Sequence, residues 1–217
     1  MGHIPHLYLP PVWSSNEIEL SDEQHHHLER VLRLKPGSSV SYTDGEGRIG
    51  QGRFEGTVVA RGEERSGDEV SRDLVVAVAP PRAKDRARFL VEKLAEMGVR
   101  ELVWVGSGHG EGHPPRTEKA VAWAQGGLEQ SRGCRLMKIR EAMRLSELSS
   151  PVMVADPGGP GIGELDIPNR VTVAIGPEGG WAPGELDGPG AVRFSLGPYV
   201  LRVETAAMVA AALILNR

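Results

Sequence analysis

The sequence is short of cysteine, of aromatic residues and of long apolar runs, and each shortage excludes something. One cysteine, Cys134, in 217 residues cannot make an internal disulfide or a cysteine-based metal site. That points to a reducing compartment, the cytoplasm, rather than to a small secreted scaffold. No apolar run reaches the ~18 residues of a membrane helix. The longest, Ala206 to Leu215, has the length of a core helix, so no membrane partner is expected. The N-terminus, MGHIPHLYLPP, has no basic stretch followed by an apolar one, and no signal peptide is expected. Neither G-x-G-x-x-G after the first α/β-type strand nor G-x-x-x-x-G-K-[ST] occurs, which argues against a dinucleotide or a nucleoside triphosphate. A positive net charge is also missing: the total is −4. Its distribution matters more than its sum, because screening limits distant charges to about 10 Å. Residues 1–70 hold 7 Lys+Arg against 12 Asp+Glu, whereas residues 82–100 hold 6 basic and 3 acidic residues. Local basic patches therefore leave a polyanion partner possible.

What is present divides into two rhythms. Residues 1–70 read as short segments between turns: a strand at His6–Leu9, a helix from an N-cap at Ser21 to Leu32 with Leu28, Val31 and Leu32 on one face, and strands Ser38–Tyr42 and Gly50–Ala60 around Asp44-Gly45-Glu46-Gly47. Short strands at close spacing suggest a small barrel-like β domain. The polar stretch Glu63–Asp73 reads as the boundary. Residues 71–217 then alternate longer units: strand Leu74–Ala79, helix Asp85–Met97 ended by Gly98, strand Leu102–Val105, helix Thr117–Ser131, strands Val152–Ala155, Val171–Ile175 and Val192–Leu196, and a closing helix Val203–Leu215. This predicts an α/β domain with a right-handed βαβ crossover.

Two glycine-bearing loops follow strands in the last third: Gly176-Pro177-Glu178-Gly179-Gly180, and Gly197-Pro198-Tyr199 leading through Val200-Leu201-Arg202 into the last helix. In open parallel sheets ligands lie beyond the carboxyl ends of strands, and glycine lets backbone groups approach a flat ligand. Tight strand-to-helix turns would also use these glycines. His25-His26-His27 cannot chelate one ion together, since successive helical residues diverge by roughly 100°, and no metal site is expected.

IGPEGGWAPGE (Ile175–Glu185) and SLGPYVLRVETA (Ser195–Ala206), in this order and separation, resemble the paired signature of the SPOUT-class methyltransferases that modify uracil N3 of 16S ribosomal RNA. HHLERVLRLKPG (His26–Gly37), AKDRARFLVEKLAEMGV (Ala83–Val99) and LEQSRG (Leu128–Gly133) extend the resemblance along nearly the whole chain. The resemblance implies a PUA-like β-barrel RNA-binding domain at 1–70 and a SPOUT α/β domain with a deep trefoil knot at 71–217. It also implies a homodimer, S-adenosylmethionine (SAM) as methyl donor without metal, and 16S ribosomal RNA or the small subunit as partner. The donor would lie among Ala155, Ile175, Gly176, Pro177, Glu178, Gly179, Leu196, Gly197, Pro198, Val200, Leu201 and Thr205. Arg202, Glu204 and Glu178 are the catalytic candidates: a cation to hold charge spreading onto uracil O2 and O4, and a carboxylate to take the N3 proton. His6, Arg30, Arg33, Lys84 and Arg132 are the RNA-facing candidates. The chain departs from the family at His3 and His6, where arginines are usual, at Tyr199, again in place of arginine, at Ser107–Gly110, and at Arg132-Gly133, whose order is reversed. Two alternatives stay open: a SPOUT enzyme with another RNA target, and a donor-binding RNA-binding protein with little catalysis. An exposed His6 would strengthen RNA binding as pH falls through about 6.5, and Ala207, Ala210, Ala211 and Ile214 would form part of the dimer contact, although their small side chains would equally suit packing on the chain's own sheet.

Overall fold

The structure is a computed structural model that describes residues 4–11, 13, 15–67, 70–149, 151–186 and 191–217; His3 lies outside them. The chain divides into two compact units, Met1–Glu69 with Leu128–Leu136, and Val70–Gly127 with Met137–Arg217.

The first unit holds five strands, β1 (His6–Tyr8), β2 (Glu17–Glu19), β3 (Ser38–Thr43), β4 (Arg48–Phe54) and β5 (Val58–Ser66), in the order β1-β3-β4-β5-β2. All neighbours are antiparallel except β1 and β3. Alternation along β3 turns Val40 and Tyr42 into a core with Leu7, Leu9, Ile18, Leu28, Phe54 and Val59. The β3–β4 turn is set by Asp44, whose Oδ1 accepts from the Glu46 and Arg48 N–H groups at 2.7 and 3.0 Å.

Three expectations are corrected in this unit. The helix from Ser21 begins as expected, with Ser21 and Gln24 bonding each other's backbone N–H, but α1 (Asp22–His26) passes into a π turn at His27–Val31. The looser turn keeps Leu28 fully buried and leaves Val31 and Leu32 exposed, so the three share no buried face. Gly50–Ala60 is two strands, because the Glu55 N–H turns back to the Val58 carbonyl at 2.9 Å with Gly56 at φ +86° between them. The polar stretch from Glu63 continues β5 to Ser66, since its Glu64 is satisfied internally by Arg61 and Tyr42.

The second unit is a six-stranded, all-parallel sheet in the order β11-β9-β10-β6-β7-β8. The strands are β6 (Asp73–Val78), β7 (Glu101–Val105), β8 (Lys138–Met143), β9 (Val152–Ala155), β10 (Arg170–Ile175) and β11 (Ala191–Phe194), and the helices are α2 (Lys84–Glu96), α3 (Thr117–Ser131, its last turn in the first unit) and α4 (Val203–Leu215). β6 and β10, central and covered on both sides, are apolar along nearly their whole length, as parallel strands require. β8 carries no such signal because it is an edge strand with no fully buried residue. Ala207, Ala210, Ala211 and Ile214 are 0–1% exposed within the chain itself, where α4 packs on α2, β6 and β10. They are core, and the expectation that they meet another subunit is corrected.

Candidate functional site

Parallel strands end at one edge, and three adjacent strands deliver three loops to it. β9 ends at Ala155 and leads into Asp156-Pro157; β10 ends at Ile175 and leads into Gly176–Gly180; β11 ends at Phe194 and leads through Leu196–Leu201 into α4. Between the loops lies a cavity of about 430 Å³, within the ~300–1,000 Å³ usual for small-molecule sites. Of the donor-site candidates, Ala155, Ile175, Gly176, Pro177, Glu178, Gly179, Leu196, Gly197, Val200 and Leu201 line it, whereas Pro198 and Thr205 do not.

The loops are tied to one another. The Asp156 N–H donates to the Phe194 carbonyl at 2.9 Å, and the Ser195 N–H to the Pro160 carbonyl at 2.7 Å. The Trp181 ring lies against Gly176, where a Cβ would stand 2.9 Å from Cε2. Its indole Nε1 is buried without a partner beside the cavity. Gly197 has φ +130°, a conformation other residues rarely adopt. Sequence reasoning missed Glu185. Its carboxylate accepts from Ser107 Oγ at 2.9 Å and from the Gly108 and Ala182 N–H groups at 2.8 and 2.7 Å. Burial raises its pKa, but these donors outweigh burial and hold it below the usual carboxylate value. Glu185 thereby joins the loop after β7 to the loop after β10. The departure at Ser107-Gly108 supplies two of its three donors, a link that lies far apart in the sequence.

The catalytic candidates differ in their surroundings. Glu178 is exposed on the cavity wall. Arg202 is the N-cap residue of α4, exposed, and its guanidinium has no partner among the described residues. Glu204 is buried, 3.8 Å from Arg86 Nε on α2, with Oε2 lacking any hydrogen bond. Only Glu178 of the three lines the cavity.

The RNA-facing candidates separate further. Lys84 is exposed at the start of α2. Arg30 and Arg33 are exposed, Arg30 paired with Glu29 at 3.2 Å. Arg132 takes φ +58° and donates to the Ile4 carbonyl at 3.0 Å. His6 is 6% exposed. Its Nε2 lies 3.0 Å from the Gly133 carbonyl, which can only accept, and its Nδ1 lies 2.9 Å from Ser41 Oγ. Burial, then the Arg132 charge, lower its pKa against the pull of the Gly133 carbonyl. A neutral, internally bonded imidazole cannot supply a titrating phosphate contact, so the expected pH-dependent grip is corrected to a structural role.

No cluster of three or more His, Cys, Asp or Glu able to hold a metal occurs among the described residues. No helix is long and apolar enough to cross a membrane among them.

A family model for an RNA methyltransferase domain matches residues 68–215, and one for an RNA methyltransferase PUA domain matches residues 20–57. The chain belongs to this RNA methyltransferase family. Its first unit is thus PUA-like, and its parallel sheet is the methyltransferase domain. Among solved structures, a Porphyromonas gingivalis protein described as an rRNA-methyltransferase is 26% identical, with TM-score 0.86 and 98% of both chains covered. A Legionella pneumophila protein described as a methyltransferase, solved with SAM bound, is 22% identical with TM-score 0.90, covering 99% of this chain and 98% of that one. The ribosomal RNA small subunit methyltransferase E of Neisseria gonorrhoeae, bound to SAM, is 24% identical with TM-score 0.85, covering 99% and 98%. Comparison with curated protein sequences finds no match.

Proposed function

We propose that the protein methylates uracil N3 in 16S ribosomal RNA, with SAM as donor held in the cavity beyond β9, β10 and β11. The observation that carries this reading is the cavity itself. Three glycine-bearing loops converge on it, with no cation in its lining among the described residues, the carboxylates of Asp156 and Glu178 as its charged groups and an unpartnered indole N–H at its wall. Such a lining suits a nucleoside-bearing, non-phosphorylated donor, and both SAM-bound proteins above share the fold. The loops are proposed to form the trefoil knot.

Ala155, Ile175, Gly176, Leu196 and Leu201 would hold the donor, with Trp181 and Tyr199 at the walls. When bound, SAM supplies an electrophilic methyl group. The chain must then present a uracil whose N3 has lost its proton. Glu178, exposed on the cavity wall, is positioned to accept that proton directly or through water. Arg202, with no competing carboxylate, is free to face the negative charge that deprotonation spreads onto O2 and O4. Glu204 is assigned a supporting part: buried next to Arg86, it ties α4 to α2 and so fixes where Arg202 begins the helix.

A homodimer is part of the proposal, through the outward face of α4. Met208, Val209, Ala212 and Leu213 remain half-buried or exposed on a helix that is apolar all round, and such helices are normally covered on every side. The test is mass spectrometry of 16S ribosomal RNA from cells with and without the gene. One methyl group on a uracil base, lost on deletion and restored by the wild-type chain but not by Arg202→Ala, is expected. A methyl group on a ribose 2′-oxygen instead would replace the N3 assignment.

A further inference from the structure

The helices that follow β6 and β7 start at the same edge of the sheet as the cavity, because all six strands are parallel. Lys84 and Arg88 lie one turn apart on α2; Arg116 and Lys119 sit at the start of α3. All four are exposed. α3 approaches α2 closely at Gly127, where a Cβ would stand 2.6 Å from the Glu92 carbonyl oxygen. The same offset in sequence places Lys119 opposite Lys84 along the two helices, with Arg88 and Arg116 each within a turn, and the positive charge of Lys84 first, then of Arg88 and Arg116, lowers the Lys119 pKa. Lys119 Nζ stands 5.5 Å from the Trp123 ring centroid, and Arg88 is braced by Glu92 at 2.7 Å. Glu92 is the one carboxylate paired to any of the four among the described residues; Asp85 and Glu118, in the same first turns, pair with none of them. Gathering four cations around a single paired carboxylate opposes folding, so the arrangement calls for an external anion.

We infer that Lys84, Arg88, Arg116 and Lys119 form a seat for backbone phosphate of the RNA substrate, at the sheet edge that carries the methyl-transfer cavity. The inference rests on the RNA methyltransferase reading and adds where the strand is held. Lysines act here as point charges on phosphate, and Arg88 keeps free N–H groups beyond its bond to Glu92. Arg86, on the same helix, is joined to Glu204 at the start of α4, so the seat is connected through α2 to the helix that carries Arg202. A repulsion between Lys119 and Lys84, which lowers the Lys119 pKa, is relieved when phosphate lies between them.

The test is binding of a 16S ribosomal RNA fragment to the full chain across a salt series, for wild type, Lys84→Gln/Lys119→Gln and Lys138→Gln. Lys138 begins β8 and so lies at the other edge of the sheet, which makes it a control for net charge. The double variant is expected to bind RNA ten- to a hundred-fold more weakly at low salt. Its slope of log affinity against log salt should be shallower by about 1–1.5, since each single-stranded phosphate contact contributes roughly 0.7. Tm should not fall, because a repulsive pair is removed, and Lys138→Gln should change little. An unchanged slope in the double variant while wild type binds RNA overturns the seat and leaves the methyltransferase reading intact. A fall in Tm that accompanies the weaker binding also overturns it, in favour of a structural role. Absence of RNA binding by wild type overturns both.

Discussion

The two units use their polar side chains in opposite ways. In the first, polar groups build the interior. Tyr42 is fully buried and its hydroxyl donates to Glu64, which in turn takes two bonds from Arg61. The fully buried Thr43 hydroxyl donates to the Cys134 carbonyl, and His6 bridges Ser41 and Gly133. A unit this small has too little apolar volume to hold itself by burial alone, and paired polar groups supply the specificity. In the second, the sheet is apolar, and exposed charges that no opposite charge pairs gather where the strands end: Glu178, Arg202, Lys84 and Lys119. A polar residue in the first unit is therefore scaffold until shown otherwise, whereas an unpartnered one at the carboxyl edge of the second is a candidate for chemistry.

Substitutions can break that contrast, and the largest effect should come from the cavity. Gly197→Val forces a branched residue to φ +130°, a strain on the order of 1–3 kcal/mol. Donor affinity should fall ten- to a hundred-fold by calorimetry, with RNA affinity retained. Glu185→Ala removes the acceptor of three hydrogen bonds that join two loops. We expect methyl transfer to drop by about ten-fold with a loss of about 1–3 kcal/mol in stability, read from turnover and denaturant melts together. His6→Ala leaves the Gly133 carbonyl and Ser41 hydroxyl short of a partner; it should cost the fold about 1–3 kcal/mol and leave donor affinity unchanged. A His6→Ala variant with normal stability but weak RNA binding would return His6 to the surface role.

The smallest effect is in pH. Burial lowers the His6 pKa, so the unfolded chain binds its proton more readily than the folded one. Stability from His6 is then complete above the ordinary histidine value of about 6.5 and declines as pH falls below it. Glu64, held low chiefly by its hydrogen bond from Arg61, adds a second loss at lower pH, once pH passes below the ordinary carboxylate value toward its depressed one. Melting temperature against pH should decline through the first window in wild type and less in His6→Gln.

Much of the second unit was legible because burial leaves a mark. Val171–Ile175 and Leu74–Ala79 are apolar runs that only a covered parallel strand explains, and the family resemblance, carried by the loops after β10 and β11, named ten of the cavity's lining residues in advance. The edge strands β2 and β8 left no mark, since only Ile18 is buried in the first and no residue is fully buried in the second. Leu128–Leu136 belongs with the first unit through single bonds, such as Glu129 accepting from the Tyr8 N–H at 2.8 Å, which no periodicity encodes. His6 misled because histidine in an arginine's place reads as a surface substitution; only coordinates reveal that both ring nitrogens are used. Glu185 was invisible because two of its three donors lie 78 and 77 residues away.

The central claim is that the cavity beyond β9, β10 and β11 holds the methyl donor. Calorimetric titration of SAM into wild type and Gly176→Val tests it most directly, since Gly176 lines the cavity and a Cβ there stands 2.9 Å from the Trp181 ring, which lines it too and must shift. The account predicts one donor per chain for wild type and affinity reduced a hundred-fold or more for a variant whose circular dichroism is unchanged. Equal affinity in the two folded proteins would contradict it and move the donor elsewhere.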